Sequence, residues 1–306
     1  MSRVIRIGTR DSELALWQAK TVQKQLADLG YPSELLPVKS TGDLILDKPL
    51  YELGITGVFT KTLDVAMLKG EVDIAVHSMK DVPTLLPQGI VEAAVLKRAN
   101  VNDVLIHKGT ADFSEEATIA TGSLRRQAQW LHKYPNHTVV DLRGNVNTRL
   151  QKLKDNNWQG AIFAAAGLER IGLTPEEVIS LDWMIPAPAQ GAMLVVAMEN
   201  DTYCKEALGQ LNDPITELCV HIERDFLRKL EGGCTAPIGA LASVKNDKVY
   251  FEGVLFSLDG KKKLSISKSC NLNEAATVGA NYAEELLQQG GDKLMQEIKA
   301  GLKKEK

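Results

Sequence analysis

Val4-Ile5-Arg6-Ile7-Gly8-Thr9-Arg10-Asp11-Ser12, near the start of the chain, sets the reading of the fold. Val4 to Ile7 is a short apolar run of strand character, Gly8-Thr9-Arg10 a tight turn, and Asp11 or Ser12 a helix N-cap. Ala15, Ala19, Val22, Leu26 and Leu29 then recur at helical spacing until Gly30 stops the helix. The same grammar returns along the chain. Leu35 to Val38 reads as a second strand and Phe59 to Leu68 as a helix closed by Gly70. Val72 to His77 reads as a buried strand running into Ser78-Met79-Lys80-Asp81-Val82-Pro83, where Pro83 and Pro87 forbid a helix. Thr118 to Ala120 leads through Gly122-Ser123 into a helix, Val139 to Leu142 through Arg143-Gly144-Asn145 into another, and Ala161 to Ala166 runs to Gly167. This alternation predicts α/β layers around a largely parallel sheet. Open α/β sheets bind ligands beyond the carboxyl ends of their strands. Thr9 to Ser12, Ser78 to Asp81, Thr121 to Arg126 and Arg143 to Asn145 are therefore expected to face one cleft.

Further on, Thr174-Pro175-Glu176-Glu177 looks like a helix start with proline at its first position, and Ile185-Pro186-Ala187-Pro188-Ala189-Gln190-Gly191 like an irregular crossing between domains. After about Asn212 the pattern changes. A helix over Ile215 to Leu230 is followed by Glu231-Gly232-Gly233-Cys234, by two or three strands (Lys248 to Phe256 and Lys263 to Ser269 alternate as half-exposed strands do) and by a helix from Asn273 to Leu287. This predicts a separate α+β domain, with the lysine-rich end a frayed, solvated tail.

Composition bounds the function. The chain has 306 residues, a formal charge of -3, four dispersed cysteines with no C-x-x-C pair, and five scattered histidines with no H-E-x-x-H. That pattern argues against a zinc site and against a nucleic-acid partner, which draws a basic footprint. No apolar run suggests a signal peptide or a membrane span, so a cytoplasmic protein with reduced thiols is expected.

What remains is local charge. Arg10, Arg125, Arg126, Arg143, Arg149 and Arg170 fall at or soon after strand ends. A guanidinium fork holds a carboxylate or phosphate bidentately. For Arg149 and Arg170, deeper in helices, a solvated surface role is an equal reading. With no phosphate-binding glycine loop in the sequence, polycarboxylates are the better guess for the anion. Asp81 follows a buried strand, and its carboxylate can project into the cationic cleft for acid/base and electrostatic work, or else cap a turn before proline. Cys234 follows two glycines, which suits an exposed nucleophilic thiol, with a small buried hydrophobe as the alternative reading. Cys204, Cys219 and Cys270 are read as buried hydrophobes.

Six motifs, in order, carry a resemblance: Ile7 to Ala19, Val76-His77-Ser78-Met79-Lys80-Asp81-Val82-Pro83, Gly122-Ser123-Leu124-Arg125-Arg126-Gln127, Leu142-Arg143-Gly144-Asn145-Val146, Ala189-Gln190-Gly191-Ala192 and Leu230-Glu231-Gly232-Gly233-Cys234. Over almost its whole length the chain resembles the porphobilinogen deaminase (hydroxymethylbilane synthase) family. The resemblance implies an α/β fold of three domains. The first two are like type II periplasmic-binding-protein lobes (1–96 with about 191–211, and 97–190), and the third is a small α+β domain with an antiparallel sheet (212–306). It implies a monomeric transferase that adds four porphobilinogen molecules to a dipyrromethane cofactor, releasing ammonia at each addition, and then frees hydroxymethylbilane by hydrolysis. Carried over residue by residue, Cys234 would hold the cofactor as a thioether and Asp81 would be the catalytic carboxylate. Asp81, Lys80, Ser78, Thr121, Ser123, Arg125, Arg126, Arg143 and Gly144 would bind the cofactor, and Arg10, Ser12, Arg149, Arg170, Gln190 and Phe59 the substrate. One departure stands out: where the family often has Gly-Gly-Lys-Gly-Leu-Phe, this chain has Gly54-Ile55-Thr56-Gly57-Val58-Phe59, which loses a lysine from a lid segment. A non-catalytic polyanion binder and a transferase using Cys234 as a transient nucleophile are the rival readings.

Overall fold

A computed structural model describes residues 3–38, 60–109, 112–173, 175–230 and 236–304. The first sheet grows from the opening unit. β1 (Ile5–Thr9) feeds α1 (Glu13–Asp28) and β2 (Ser33–Pro37). After α2 (Lys61–Leu68) comes β3 (Ile74–Ser78), and the strand order is β2-β1-β3-β10-β4, with β4 at Ile90–Val95 and β10 at Met193–Met198. The sheet is covered on both faces. Ile5 and Ile7 pack with Ala19, Val22 and Leu26 of α1, while Leu63, Ala66 and Met67 of α2 close the other face over Ala75 and Met79. Full burial of such side chains contributes about 1.5–3 kcal/mol each, which is what holds short strands in place.

The second sheet repeats the plan. Its order is β7-β6-β8-β5-β9, from β5 (Asp103–His107), β6 (Thr118–Ala120), β7 (Thr138–Val140), β8 (Gly160–Ala164) and β9 (Val178–Ser180). The helices between are α3 (Leu124–Lys133), α4 (Val146–Asp155) and α5 (Ala165–Arg170). In each five-stranded sheet four strands run in one direction, and the remaining one, β10 or β5, runs antiparallel to both its neighbours. The expected largely parallel sheet is thus a mixed one. The reason is connectivity: β5 and β10 are the strands reached by the two crossings between lobes, and each enters its sheet against the run of the rest. The crossings lie side by side, with Leu96 N–H donating to Met193 O at 3.0 Å and Ala99 N–H to Gly191 O at 3.1 Å. Gly191 has φ +85°, and a Cβ there would lie 2.7 Å from Ala99 O, so only glycine fits the crossing.

The third unit holds a three-stranded antiparallel sheet, β11 (Ile238–Lys245), β12 (Lys248–Phe256) and β13 (Lys263–Asn271). α6 (Thr202–Gly209) packs on the first sheet, and α7 (Pro214–Lys229), capped by Asp213 with proline at its start, joins the third core through Ile222 and Phe226. Thus the α/β architecture of two lobes plus a small α+β unit is present.

Three local expectations need correction. No helix starts at Pro175. Val178–Ser180 is a strand on the edge of the second sheet, Val104 opposite Ser180, because β-branched Val178 and Ile179 gain more from sheet pairing than the capping pattern offers. The lysine-rich end is helical as far as Lys304, not a frayed tail over the described residues. After α8 (Val278–Leu286), α9 (Asp292–Lys304) places Leu294, Met295 and Ile298 in the third core, and its exposed lysines line the opposite face. Cys204 and Cys219 are buried as expected, but Cys270 is only half-buried.

Candidate active site

β3 ends in a single 3-10 turn, Met79–Asp81. Met79 is fully buried against the first core and anchors the turn, so Lys80 and Asp81 remain at its cleft side, half-buried. Ser78, just before, accepts from Gln18 Nε2 of α1 at 2.9 Å. Lys80 Nζ donates to Gln190 Oε1 at 3.3 Å, which ties the turn to the second interlobe crossing. Burial, with Arg126 close by, pulls the Lys80 ammonium down to about 8, against the opposing pull of Asp81 and Asp103.

From the second lobe, α3 presents Arg125 and Arg126, both buried, against Asp103 at the start of β5. Arg125 Nη1 donates to Asp103 Oδ2 at 2.7 Å and to Ile185 O at 2.8 Å. Arg126 Nε donates to Asp103 Oδ1 at 2.9 Å and its Nη1 to Ile162 O at 3.0 Å. Gln190 Nε2 adds a third donor to Asp103 at 2.9 Å. Although burial alone would raise its pKa, the two guanidinium groups hold the Asp103 carboxyl well below the usual carboxylate range. Among the described residues Arg125 Nε is buried without a hydrogen-bond partner. Arg149 of α4 donates from Nε to Gly144 O at 2.7 Å. It is held down to about 10 by burial and then by Arg126, while Asp81 across the cleft opposes the shift. Lys80, Arg125, Arg126 and Arg149 therefore face Asp81 and Asp103, an excess of buried and half-buried positive charge that a polycarboxylate would offset.

Ser123 caps α3, and its own N–H donates to Thr121 Oγ1 at 3.3 Å. Gly144, at φ +112°, lets Asn145 cap α4 under buried Arg143, where a Cβ would lie 2.7 Å from Thr148 Cγ2. Ser12 is the N-cap residue of α1. Arg10 is close enough to buried His77 to help push it down to about 4, behind the larger effect of burial. Arg170 has different neighbours: its guanidinium carbon is 5.9 Å from the Trp17 ring centroid, and Nη2 donates to Gly191 O at 2.6 Å. Cys234, Phe59 and Thr56 lie outside the described residues.

Sequence reasoning missed Asp103, the residue that organises the arginines. The available signal was an aspartate directly before Val104-Leu105-Ile106, an apolar run of buried-strand type. It also missed Glu223, a fully buried acid of α7 that takes Arg98 at 2.6 and 2.9 Å and the N–H groups of Ala189 at 2.6 Å and Ala242 at 2.7 Å. No helix among the described residues is long and apolar enough to cross a membrane.

Comparison with known proteins bears on the same residues. Residues 5–206 match the family described as "Porphobilinogen deaminase, dipyromethane cofactor binding domain", and residues 217–288 match "Porphobilinogen deaminase, C-terminal domain". The porphobilinogen deaminase of Pelotomaculum thermopropionicum is 42% identical over 302 residues, 96% of this chain and 97% of that protein. That of Geotalea uraniireducens is 42% identical over 97% of this chain and 95% of its own length. The Chloroherpeton thalassium protein is 40% identical over 98% and 99%.

Proposed function

The chain belongs to the porphobilinogen deaminase family, and from that premise we propose how its own residues carry out the family's reaction. The protein is a transferase of tetrapyrrole biosynthesis that joins four porphobilinogen molecules head to tail on a dipyrromethane cofactor, releases ammonia, and yields hydroxymethylbilane by hydrolysis. The donor set suits a carboxylate-bearing pyrrole chain, since buried and half-buried guanidinium and ammonium groups outnumber the carboxylates they face and Arg125 Nε is unpartnered among the described residues. When bound, the cofactor supplies the pyrrole end on which the product grows. Cys234 holds it, with Lys80, Ser78, Thr121, Ser123, Arg125, Arg126, Arg143 and Gly144 around its carboxylates and backbone.

Asp81 is the catalytic carboxylate. As the carbon–nitrogen bond of the substrate breaks, the amino group leaves as ammonia from its ammonium form, and the Asp81 carboxylate assists that loss by stabilising the azafulvenium cation left behind. Placed beside Lys80 and Arg149, it accepts from pyrrole N–H groups and holds them in line. Arg10, Ser12, Arg149, Arg170, Gln190 and Phe59 bind the incoming substrate, and Arg10 and Arg149 hold its carboxylates. The observation that carries this reading is the Lys80–Asp81 turn set against the Asp103-braced arginines. A division into domains 1–96 with 191–211, 97–190 and 212–306 is supported by one sheet in each. The same reading takes the protein to be a cytoplasmic monomer with a small-molecule substrate and neither nucleic acid nor membrane as partner; light scattering tests the monomer. The test of the cofactor assignment is intact mass after denaturation. A stable adduct of two pyrrole units, lost in Cys234→Ser, is expected, and an unmodified Cys234 in active enzyme overturns the reading.

A further inference from the structure

We propose that Arg224 of α7 is a positioning residue for Asp81, so that the third unit, and not the first lobe alone, fixes where the catalytic carboxylate stands. The proposal rests on the reading of Asp81 given above. The turn that carries Asp81 is one 3-10 turn closed by Val82 N–H to Met79 O at 3.1 Å. So short an element has little cooperative stability of its own. It is followed by Pro83, which cannot donate, and the carbonyls of Met79 and Val82 belong to buried residues, where a backbone acceptor needs a partner.

Arg224 meets that need from far along the chain. Nη1 donates to Val82 O at 3.0 Å and Met79 O at 3.3 Å, and Nη2 donates to Pro83 O at 2.7 Å. One planar fork thus grips the backbone on both sides of Asp81. The guanidinium is nearly buried, with the half-buried Glu92 carboxylate at 3.8 Å, and Glu92 itself is hydrogen-bonded to His221 one turn earlier on α7. Three neutral carbonyls do not require a buried cation, whose desolvation is costly. A rigid fork does, however, set three positions at once, which a flexible amine cannot do. The adjacent residue, Glu223, holds the two interlobe crossings through Arg98 and Ala189. Consecutive residues of one helix therefore fix the catalytic turn and the crossings on which the second lobe is carried. As the product lengthens, Asp81 keeps its place relative to α7 while the lobes adjust around it.

Single-turnover kinetics on cofactor-loaded enzyme, with porphobilinogen below the enzyme concentration, separates this role from mere stabilisation. The rate constant reads the chemistry of folded molecules and the amplitude reads how many there are. Arg224→Gln is expected to lower the rate constant by about 100-fold and Arg224→Lys by about 10-fold, the scale of a small misplacement of a reacting group. The KM for porphobilinogen should stay within about twofold, and intact mass should still show the adduct. A wild-type rate constant with reduced amplitude, in either variant, overturns the proposal, as does a raised KM at unchanged kcat. If Arg224→Gln does not fold, Arg224→Lys, which keeps charge and stem, decides. Asp81→Asn run in parallel separates the two ideas: if it retains turnover the Asp81 reading fails, whereas an inactive Asp81→Asn beside a normal Arg224→Lys rate removes only the role given to Arg224.

Discussion

The two walls of the cleft are built on opposite principles. On the first lobe, the Met79–Pro83 turn is held by its backbone: Met79 in the core, its carbonyls on Arg224, its first N–H on Ala192 O. The side chains of Lys80 and Asp81 are thereby left at the cleft. On the second lobe the arginines are held through their own side chains, braced from behind by Asp103 and by the carbonyls of Ile162 and Ile185. The difference matches the two tasks proposed above for Asp81 and for the arginines. A group that stabilises a reacting cation needs a fixed Cα and an available carboxylate, while groups that only bind need their charge aimed and kept from repelling one another. Removing a group from the first wall should therefore affect rate, and removing one from the second should affect stability first.

Asp81→Asn sharpens that contrast most. It keeps the shape and loses the charge, so turnover should fall by about 10²–10⁴-fold. The adduct mass and the unfolding midpoint should stay within error of wild type. A comparable loss of stability would mean that the turn is held through Asp81 after all. Asp103→Asn is the mirror experiment. It leaves Arg125 and Arg126 buried and short of a counter-charge, which costs about 3–5 kcal/mol, read by chemical denaturation. Because the folded-state pKa of Asp103 is depressed, its contribution is present in full above the ordinary value of 3.8 and is lost as pH falls through the lower folded value. Below pH 4 the Asp103→Asn variant should consequently lose stability less steeply than wild type.

How much of this was legible in the sequence follows the same division. The strand, turn and helix units were readable because period-2 and 3.6-residue patterns are local, and so were the polar residues that follow each strand. Lys80, Asp81, Arg125, Arg126 and Arg149 do share one electrostatic field in the structure. What sequence could not supply was pairing at long range. Asp103 lies 22 residues from Arg125, and Arg224 lies 142 from Val82, separations over which no pattern operates. The antiparallel entry of β10 between β3 and β4 was invisible for the same reason. At Pro175 and in the final helix the local signals were present and misleading, because sheet-edge pairing and burial of Leu294, Met295 and Ile298 outweighed them.

Between the walls, the crossing itself can be perturbed. Gly191→Ala places a side chain at φ +85° and within 2.7 Å of Ala99 O, which should cost about 1–3 kcal/mol. If the crossing serves both walls equally, the variant should lower the unfolding midpoint and also slow the single-turnover rate. An effect on the midpoint alone would assign the crossing to structure.

The smallest expected effect tests how firmly the first wall is tied to α7. His221 is bonded to Glu92 at 2.7 Å, and that bond raises its pKa above 6.5; partial burial and Arg224 oppose the shift, and Glu217 adds to it. A raised folded-state pKa means the stabilisation is fully present below pH 6.5 and fades as pH rises through the folded value. Both side chains are partly exposed, so the change is small, within the range of a screened surface pair. In Glu92→Gln, the His221 titration followed by NMR should move back down toward 6.5. Because Glu92 also faces Arg224, the same variant should leave the carbonyl grip in place and change the single-turnover rate by less than the Arg224 substitutions do. If it slowed the chemistry as much as Arg224→Gln, the negative charge of Glu92, more than the fork of Arg224, would be what holds the catalytic turn.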